Sequence, residues 1–174
     1  MSGEELLIID MLNDFVLEGA PLEVPDTRKV IPVIKKEIED TKTRGNPVIY
    51  ICDAHDKDDK EFSKFGWPVH AVDGTRGAEV ADEIKPDKDD IVIKKTTYSG
   101  FYNTKLEETL KGLGAAGVRL TGCVTHICIL FTASDAVLRD YRVTVVENGV
   151  AGLEREDHEA AIRIMKNVLG ANII

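Results

Sequence analysis

The chain has 174 residues, 43% apolar and 30% charged, with 14 glycines and 3 cysteines; this fits one globular domain over residues 1–174 and excludes collagen-like repeats and long disorder. Its 22 basic and 31 acidic residues leave a net charge of −9 without a Lys/Arg-rich stripe, so nucleic acid and anionic membrane are poor partners. The longest uninterrupted apolar run, 127–131, has five residues, where a membrane-spanning helix needs about 20. The start, Met-Ser-Gly-Glu-Glu, is acidic where a secretory signal is basic, which predicts a cytoplasmic protein. Cys52, Cys123 and Cys128 form neither an even set nor a CxxC pair, so free thiols are expected.

In chain order, short apolar runs alternate with segments of helical period, the signature of βα units that build a parallel sheet. Six strands are predicted, at 6–9, 48–52, 91–93, 118–121, 143–146 and 172–174. Val30, Ile31, Ile34 and Ile38 share one helical face after the first strand, with Asp26 as a capping candidate and Gly45-Asn46-Pro47 as the stop. The stretch 53–76 is the longest irregular one, and it begins at the carboxyl end of a strand, where open α/β sheets bind ligands. Leu106, Leu110 and Leu113 mark a helix before the fourth strand, and Ala161, Ile164, Met165 and Val168 mark one before the sixth. Residues 125–139, apolar nearly all round, are expected to form the most buried helix. The predicted fold is α/β: a single-domain, Rossmann-like, doubly wound sheet of about six mostly parallel strands with helices on both faces.

Gly112-Leu113-Gly114-Ala115-Ala116-Gly117 matches G-x-G-x-x-G, yet it follows a helix and precedes a strand. A dinucleotide fingerprint needs the reverse order, so these glycines are read as a helix C-cap and αβ turn.

Asp10 ends the first strand, Lys95 lies just past the third, and Cys128 follows the fourth near the start of the apolar helix. Singly, these are a turn aspartate, a solvated lysine and a small core thiol. Together at one sheet edge they make an activated nucleophile. The carboxylate takes the thiol proton, the ammonium favours the thiolate, and backbone N–H groups at the helix start receive an oxyanion. Acyl transfer at an amide suits this set. Asp53, His55 and His70 offer one carboxylate and two imidazoles to zinc, iron or manganese, with Asp59 or Glu61 as a further ligand. Trp67 and Phe15 supply aromatic walls.

These segments resemble the isochorismatase-like cysteine hydrolases, and among them most closely the nicotinamidases. Leu6 to Phe15 looks like the family's opening strand with its catalytic Asp10 and pocket Phe15; Lys95-Thr-Thr-Tyr98-Ser99-Gly100-Phe101 looks like its lysine motif; Thr121-Gly122-Cys123-Val124-Thr125-His126-Ile127-Cys128 looks like its nucleophile segment. The resemblance implies that Asp10, Lys95 and Cys128 are catalytic, with Lys95 favoured over its neighbour Lys94 by its spacing to Ser99. It implies a cis Cys123–Val124 bond and an oxyanion hole formed by the N–H groups of Val124 and Cys128. The stretch from Asp53 through His70 to Glu79 resembles the nicotinamidase metal loop, which implies a divalent ion on Asp53, His55 and His70, with Glu61 or water completing the shell. Phe15, Trp67 and Tyr98 would then enclose a pyridine ring. The implied activity is deamidation of nicotinamide to nicotinate through a thioester, with N-carbamoylsarcosine amidase-like hydrolysis of a ureido amide as the alternative and a small amide as the partner in either case. Cys128 argues against isochorismatase activity itself, and the intact triad against a binding-only protein. Family habit and exposed apolar surface point to a homo-oligomer.

Overall fold

The computed structural model describes residues 3–174; Met1 and Ser2, which open the acidic N-terminal stretch, lie outside the described residues. Six strands, β1 (Glu4–Ile9), β2 (Ile49–Asp53), β3 (Ile91–Lys95), β4 (Gly117–Cys123), β5 (Arg142–Ala151) and β6 (Asn172–Ile173), form one sheet in the order β3-β2-β1-β4-β5-β6. Every pairing is parallel. Six helices accompany them: α1 (Asn13–Val16), α2 (Thr27–Thr43), α3 (Lys60–Phe65), α4 (Leu106–Gly112), α5 (Leu130–Val137) and α6 (Arg155–Asn167).

The central strands read as unbroken apolar runs because both their faces are covered. Alternate side chains of β1 go to opposite layers: Leu6 and Ile8 join Val30, Ile31 and Ile34 of α2, whereas Leu7 and Ile9 join Leu106, Leu110, Ala133 and Met165 of α4, α5 and α6. Each such side chain, fully buried, contributes about 1.5–3 kcal/mol. The chain lays down β1, β2 and β3 outward in turn and then returns to place β4 on the other side of β1. That reversal opens a crevice at the carboxyl ends of β1 and β4, the place where doubly wound sheets hold ligands. No helix among the described residues is long and apolar enough to cross a membrane.

Four local expectations meet the structure differently. The glycine motif is a cap and turn as read: Gly112 closes α4, Gly114 has φ +67°, and Gly117 opens β4. The segment after β2 is not wholly irregular, because Asp59 caps the short α3 by accepting the Glu61 N–H at 2.9 Å. Asp26 precedes α2, but its carboxylate pairs with Lys29 at 2.5 Å instead of capping the helix. The helix expected over 125–139 splits into a π-turn (Thr125–Ile129) and α5, and it is buried on one side only. Phe131 is 48% and Leu138 77% exposed, because β4 and β5 cover just the face that carries Ala133 and Ala136.

Gly122 is where β4 comes closest to β1. Its φ is +110°, and a Cβ there would lie 2.0 Å from the Ile9 carbonyl oxygen. Gly112→Ala meets open space. We expect Gly122→Ala to lower the unfolding free energy by about 2–4 kcal/mol and Gly112→Ala to leave it within about 1 kcal/mol, both read from urea denaturation. Equal small effects would show that the β1–β4 contact tolerates a side chain.

Candidate active site and metal centre

The carboxyl ends of β1, β2, β3 and the turn after β4 bring Asp10, Asp53, Lys95 and Cys128 together. Asp53 and Lys95 are register partners across β2 and β3, so their side chains emerge on the same face. Asp10 is turned out of β1 by a left-handed φ of +51°, while its N–H donates to the Ile51 carbonyl at 2.8 Å and its carboxylate accepts the Asp53 N–H at 2.8 Å. Left-handed backbone is least costly for Asp and Asn among side-chain-bearing residues, and here it aims the carboxylate into the crevice. Lys95 Nζ lies 2.8 Å from Asp10 Oδ2 and 3.5 Å from Cys128 Sγ, and it also contacts Asp53 Oδ1. The neighbouring Lys94 points to the other face, exposed, and pairs with Asp73 at 2.6 Å. Cys128 sits in the π-turn after the Cys123–Val124 bond, which is cis. Thr125 in that turn is fully buried and meets His158 Nδ1 on α6 at 2.9 Å.

Burial governs the protonation states. Burial and the nearby Asp53 charge raise Asp10 to about 6, against the opposing pull of Lys95. Burial alone would depress the Lys95 ammonium, but the Asp10 and Asp53 carboxylates outweigh it and hold Lys95 charged. Asp53 stays below the usual carboxylate range because Lys95 and His55 together overcome its burial. Burial pushes the Cys128 thiol well up despite the Lys95 charge beside it. The resting group is therefore a thiol that hydrogen-bonds to the Asp10 carboxylate, the group expected to take its proton. Cys52 and Cys123 are also free, buried and raised, Cys52 to about 12.

One ligand atom from each of Asp53, His55 and His70 falls within 4.8 Å of the others. A short bridge between His55 and Val72 brings His70 beside His55, with ring centroids 5.1 Å apart. Second partners fix both rings. His55 Nδ1 faces Asp59 at 3.0 Å, and His70 Nδ1 donates to the Pro68 carbonyl at 2.7 Å. In the neutral ring each Nε2 is then the lone-pair nitrogen, the usual arrangement for metal-binding imidazoles. His55 Nε2 is buried without a hydrogen-bond partner and lies 3.7 Å from Asp53 Oδ2, an acceptor facing an acceptor. Positive charge relieves that contact, either a proton on Nε2 or a cation in its place. Burial lowers the His55 imidazole, yet Asp53 and Asp59 outweigh it and raise the ring to about 9, which shows the same demand for positive charge. The donor set, two imidazoles and a carboxylate, fits a divalent transition metal.

Asp59, a candidate ligand by sequence, serves as the partner of His55 Nδ1. Glu61 is not drawn into the ligand group: it lines the adjoining pocket and accepts a hydrogen bond from Thr97. That pocket, a narrow one, is walled by Phe15, Trp67, Tyr98 and Leu153 and floored by Asp10 and Cys128. The Trp67 indole N–H donates to the Tyr98 hydroxyl at 3.2 Å, so the two expected wall residues brace each other. Several supporting groups escaped sequence reasoning. Phe62 packs on both imidazoles, at 5.1 and 5.2 Å. Asp14 accepts the Ala71 N–H at 2.8 Å and packs on Gly77, where a Cβ would lie 2.2 Å from its carboxylate. The i, i+4 spacing of His55 and Asp59 was the one readable signal for these supports.

This electrostatic arrangement has a pH signature. Below about 6 Asp10 is protonated and cannot accept the thiol proton; above it the base is available while the thiol remains protonated. In metal-free protein, alkylation of Cys128 by iodoacetamide, followed by mass spectrometry of its peptide, should rise through about pH 6 and then level. Asp10→Asn should lose that limb and slow the reaction by about 10²-fold or more. A single alkaline limb shared by both proteins would mean that the thiol ionises unaided.

The isochorismatase domain profile matches residues 5–174. An Arabidopsis thaliana protein described as a probable inactive nicotinamidase is 34% identical over 172 residues, spanning 94% of this chain and 88% of its own. The structure superposes on pyrazinamidase of Pyrococcus horikoshii in complex with zinc with a TM-score of 0.92, at 33% identity and 98% coverage of both chains. It superposes on N-carbamoylsarcosine amidase of Thermoplasma acidophilum with a TM-score of 0.87, at 36% identity, covering 98% of this chain and 95% of that one. With a whole-length profile match and amidases of the same fold over nearly every residue, the chain belongs to the isochorismatase family, as an amidohydrolase acting on C–N amide bonds.

Proposed function

We propose that this amidohydrolase deamidates nicotinamide. The observation that carries the reading is the three-ligand group Asp53, His55 and His70 sharing Asp53 with the Asp10–Asp53–Cys128 group, which puts a metal position beside the thiol. A bound divalent ion, zinc by analogy with the Pyrococcus horikoshii pyrazinamidase, offers a coordination position that a pyridine nitrogen fills better than an aliphatic ureido group does. Phe15, Trp67 and Tyr98 suit a flat aromatic ring, and the pocket suits a small one.

In this reading Cys128 is the nucleophile and Asp10 the shuttling base and acid. Cys128 Sγ attacks the carboxamide carbon as its proton passes to Asp10, and the developing oxyanion is met by the N–H groups of Val124 and Cys128. Asp10 returns the proton to the departing nitrogen, ammonia leaves, and a thioester to Cys128 remains. Asp10 then takes a proton from water, which releases nicotinate and restores the thiol. Lys95 keeps Asp10 oriented and carries the positive charge that offsets the transient anion. Asp10, Lys95 and Cys128 lie together in this chain, which supports a working enzyme.

The second reading, hydrolysis of a ureido amide, has the similarity to N-carbamoylsarcosine amidase in its favour. Ammonia release from nicotinamide and from N-carbamoylsarcosine, before and after chelation and zinc restoration, separates the two. We expect nicotinamide turnover, at least a tenfold fall in kcat/KM on chelation, recovery with zinc, and no turnover by Cys128→Ala. Inert nicotinamide with an active ureido amide, or turnover indifferent to chelation, contradicts the proposal.

The three free cysteines suit a reducing, cytoplasmic setting. Exposed Phe131 on α5, Leu138 just after it and Val168 after α6, with α5 and α6 in contact, favour a homo-oligomer. Sedimentation should give more than the 19.2 kDa of one chain at micromolar concentration; a monomer mass throughout contradicts self-association.

A further inference from the structure

The π-turn that carries Cys128 is held from two sides. On one, the Cys123 thiol donates to the Asp10 carbonyl at 3.1 Å, which ties the end of β4 to the end of β1. On the other, the fully buried Thr125 hydroxyl meets His158 Nδ1 at 2.9 Å. A threonine at the start of a helical turn ordinarily bonds within that turn. This one reaches across 33 residues to the first turn of α6, where Gly152 packs so closely on His158 that a Cβ there would lie 2.8 Å from the histidine Cβ. Between the two ties stands Val124, which lines the pocket and whose carbonyl accepts the Ile127 and Ile129 N–H groups at 3.0 and 3.2 Å, on either side of Cys128. A second link from the turn to α6, between His126 Nε2 and Asp157 at 3.9 Å, is looser, and its aspartate is exposed.

We propose that Thr125 and His158 are positioning residues for amide hydrolysis: their bond holds the turn from α6 so that the Val124 and Cys128 N–H groups stay aimed at the oxygen that becomes an anion. The inference rests on the reading of Cys128 as nucleophile, and not on which amide it attacks. Neither residue of the pair lines the pocket, so both act through the backbone of the turn. Donors of this kind stabilise a transition state only when they already point at the developing charge, and losing one costs about 10²–10³ in kcat. A turn still tied at Cys123 but released at Thr125 keeps both donors with looser aim, so the loss is smaller. It falls on kcat, because the ground-state carbonyl oxygen carries little of the charge that the donors meet later. His158 is half-buried beside a separate cleft on the far side of the turn, so it can be replaced without opening the core.

Four single variants test the pair. Thr125→Val removes only the hydroxyl, His158→Leu removes its partner, Thr125→Ser keeps the bond, and Asp157→Asn is the control on the looser link. Ammonia release, with zinc supplied, from whichever of nicotinamide and N-carbamoylsarcosine the wild type turns over gives kcat and KM. Iodoacetamide alkylation of Cys128 reads the thiol and Asp10 without using an oxyanion. We expect Thr125→Val and His158→Leu each to lower kcat about tenfold, with KM and the alkylation rate within about twofold of wild type. The double variant should lose no more than either single one, since both break the same bond. Thr125→Ser and Asp157→Asn should behave like wild type. A lower urea midpoint with kcat unmoved would make the pair merely structural and overturn the proposal. So would a loss confined to KM, or turnover and alkylation falling together. If Thr125→Val does not fold, His158→Leu carries the comparison. Turnover by Cys128→Ala would overturn the nucleophile reading, whereas full kcat in both Thr125→Val and His158→Leu would overturn only the role given to the pair.

Discussion

A single buried ammonium, Lys95 Nζ, holds this site together. Two carboxylates and a thiol converge where β1, β2 and the turn after β4 end, all buried, and Asp10 and Asp53 would repel each other without a cation between them. Desolvating each ion costs several kcal/mol, and removing one member of such a group typically costs about 3–5 kcal/mol because the remaining charges lose their partner. The fold serves this contact directly. Parallel pairing of β2 and β3 places Lys95 opposite Asp53, and the left-handed turn at Asp10 swings the third charge into reach. β3 is an edge strand, so its other face leaves Lys94 in solvent. One residue of register separates the buried lysine of the crevice from a surface one.

Asp53 links two halves of the site that are otherwise distinct. Through one oxygen it meets Lys95 and the thiol's surroundings; through the other it faces His55 and the metal position. A cation among Asp53, His55 and His70 neutralises the charge that helps raise Asp10, so binding of a metal and basicity of Asp10 are coupled through one carboxylate. Burial keeps the thiol protonated at rest, so in the reaction proposed for it the Asp10 carboxylate, rather than a standing thiolate, would make the nucleophile at the moment of attack. A buried, protonated thiol also resists adventitious oxidation.

Much of this was legible in the sequence, and the reasons are physical. The central strands, buried on both faces, announce themselves as unbroken Val, Ile and Leu runs, and the edge strands β3 and β6 as shorter apolar runs, so all six were readable, and chemistry-bearing residues at their carboxyl ends followed. The meeting of Asp10, Lys95 and Cys128 was expected for that reason, and that of Asp53, His55 and His70 because residues of those types cluster in one loop. The supporting layer was not readable. Asp14 and Phe62 reach the loop through contacts that no local period encodes, and Pro68 acts through its carbonyl, which carries no side-chain signature. The fully buried helix was misjudged because apolar composition does not say which faces have neighbours: Phe131 and Leu138 are as apolar as Ala133, yet no element covers them.

The account turns on Lys95 setting the charge state of its neighbours, and a titration of Asp10 tests that claim most directly. With the aspartate carboxyl carbons labelled and followed by NMR in metal-free protein, Asp10 should titrate near about 6. In Lys95→Met, shown to be folded by its backbone spectrum, the same carboxyl should move well above that value, since burial and Asp53 would then act unopposed. An Asp10 titration that stays in place, or falls, when the ammonium is removed would contradict the central role given to this one charge.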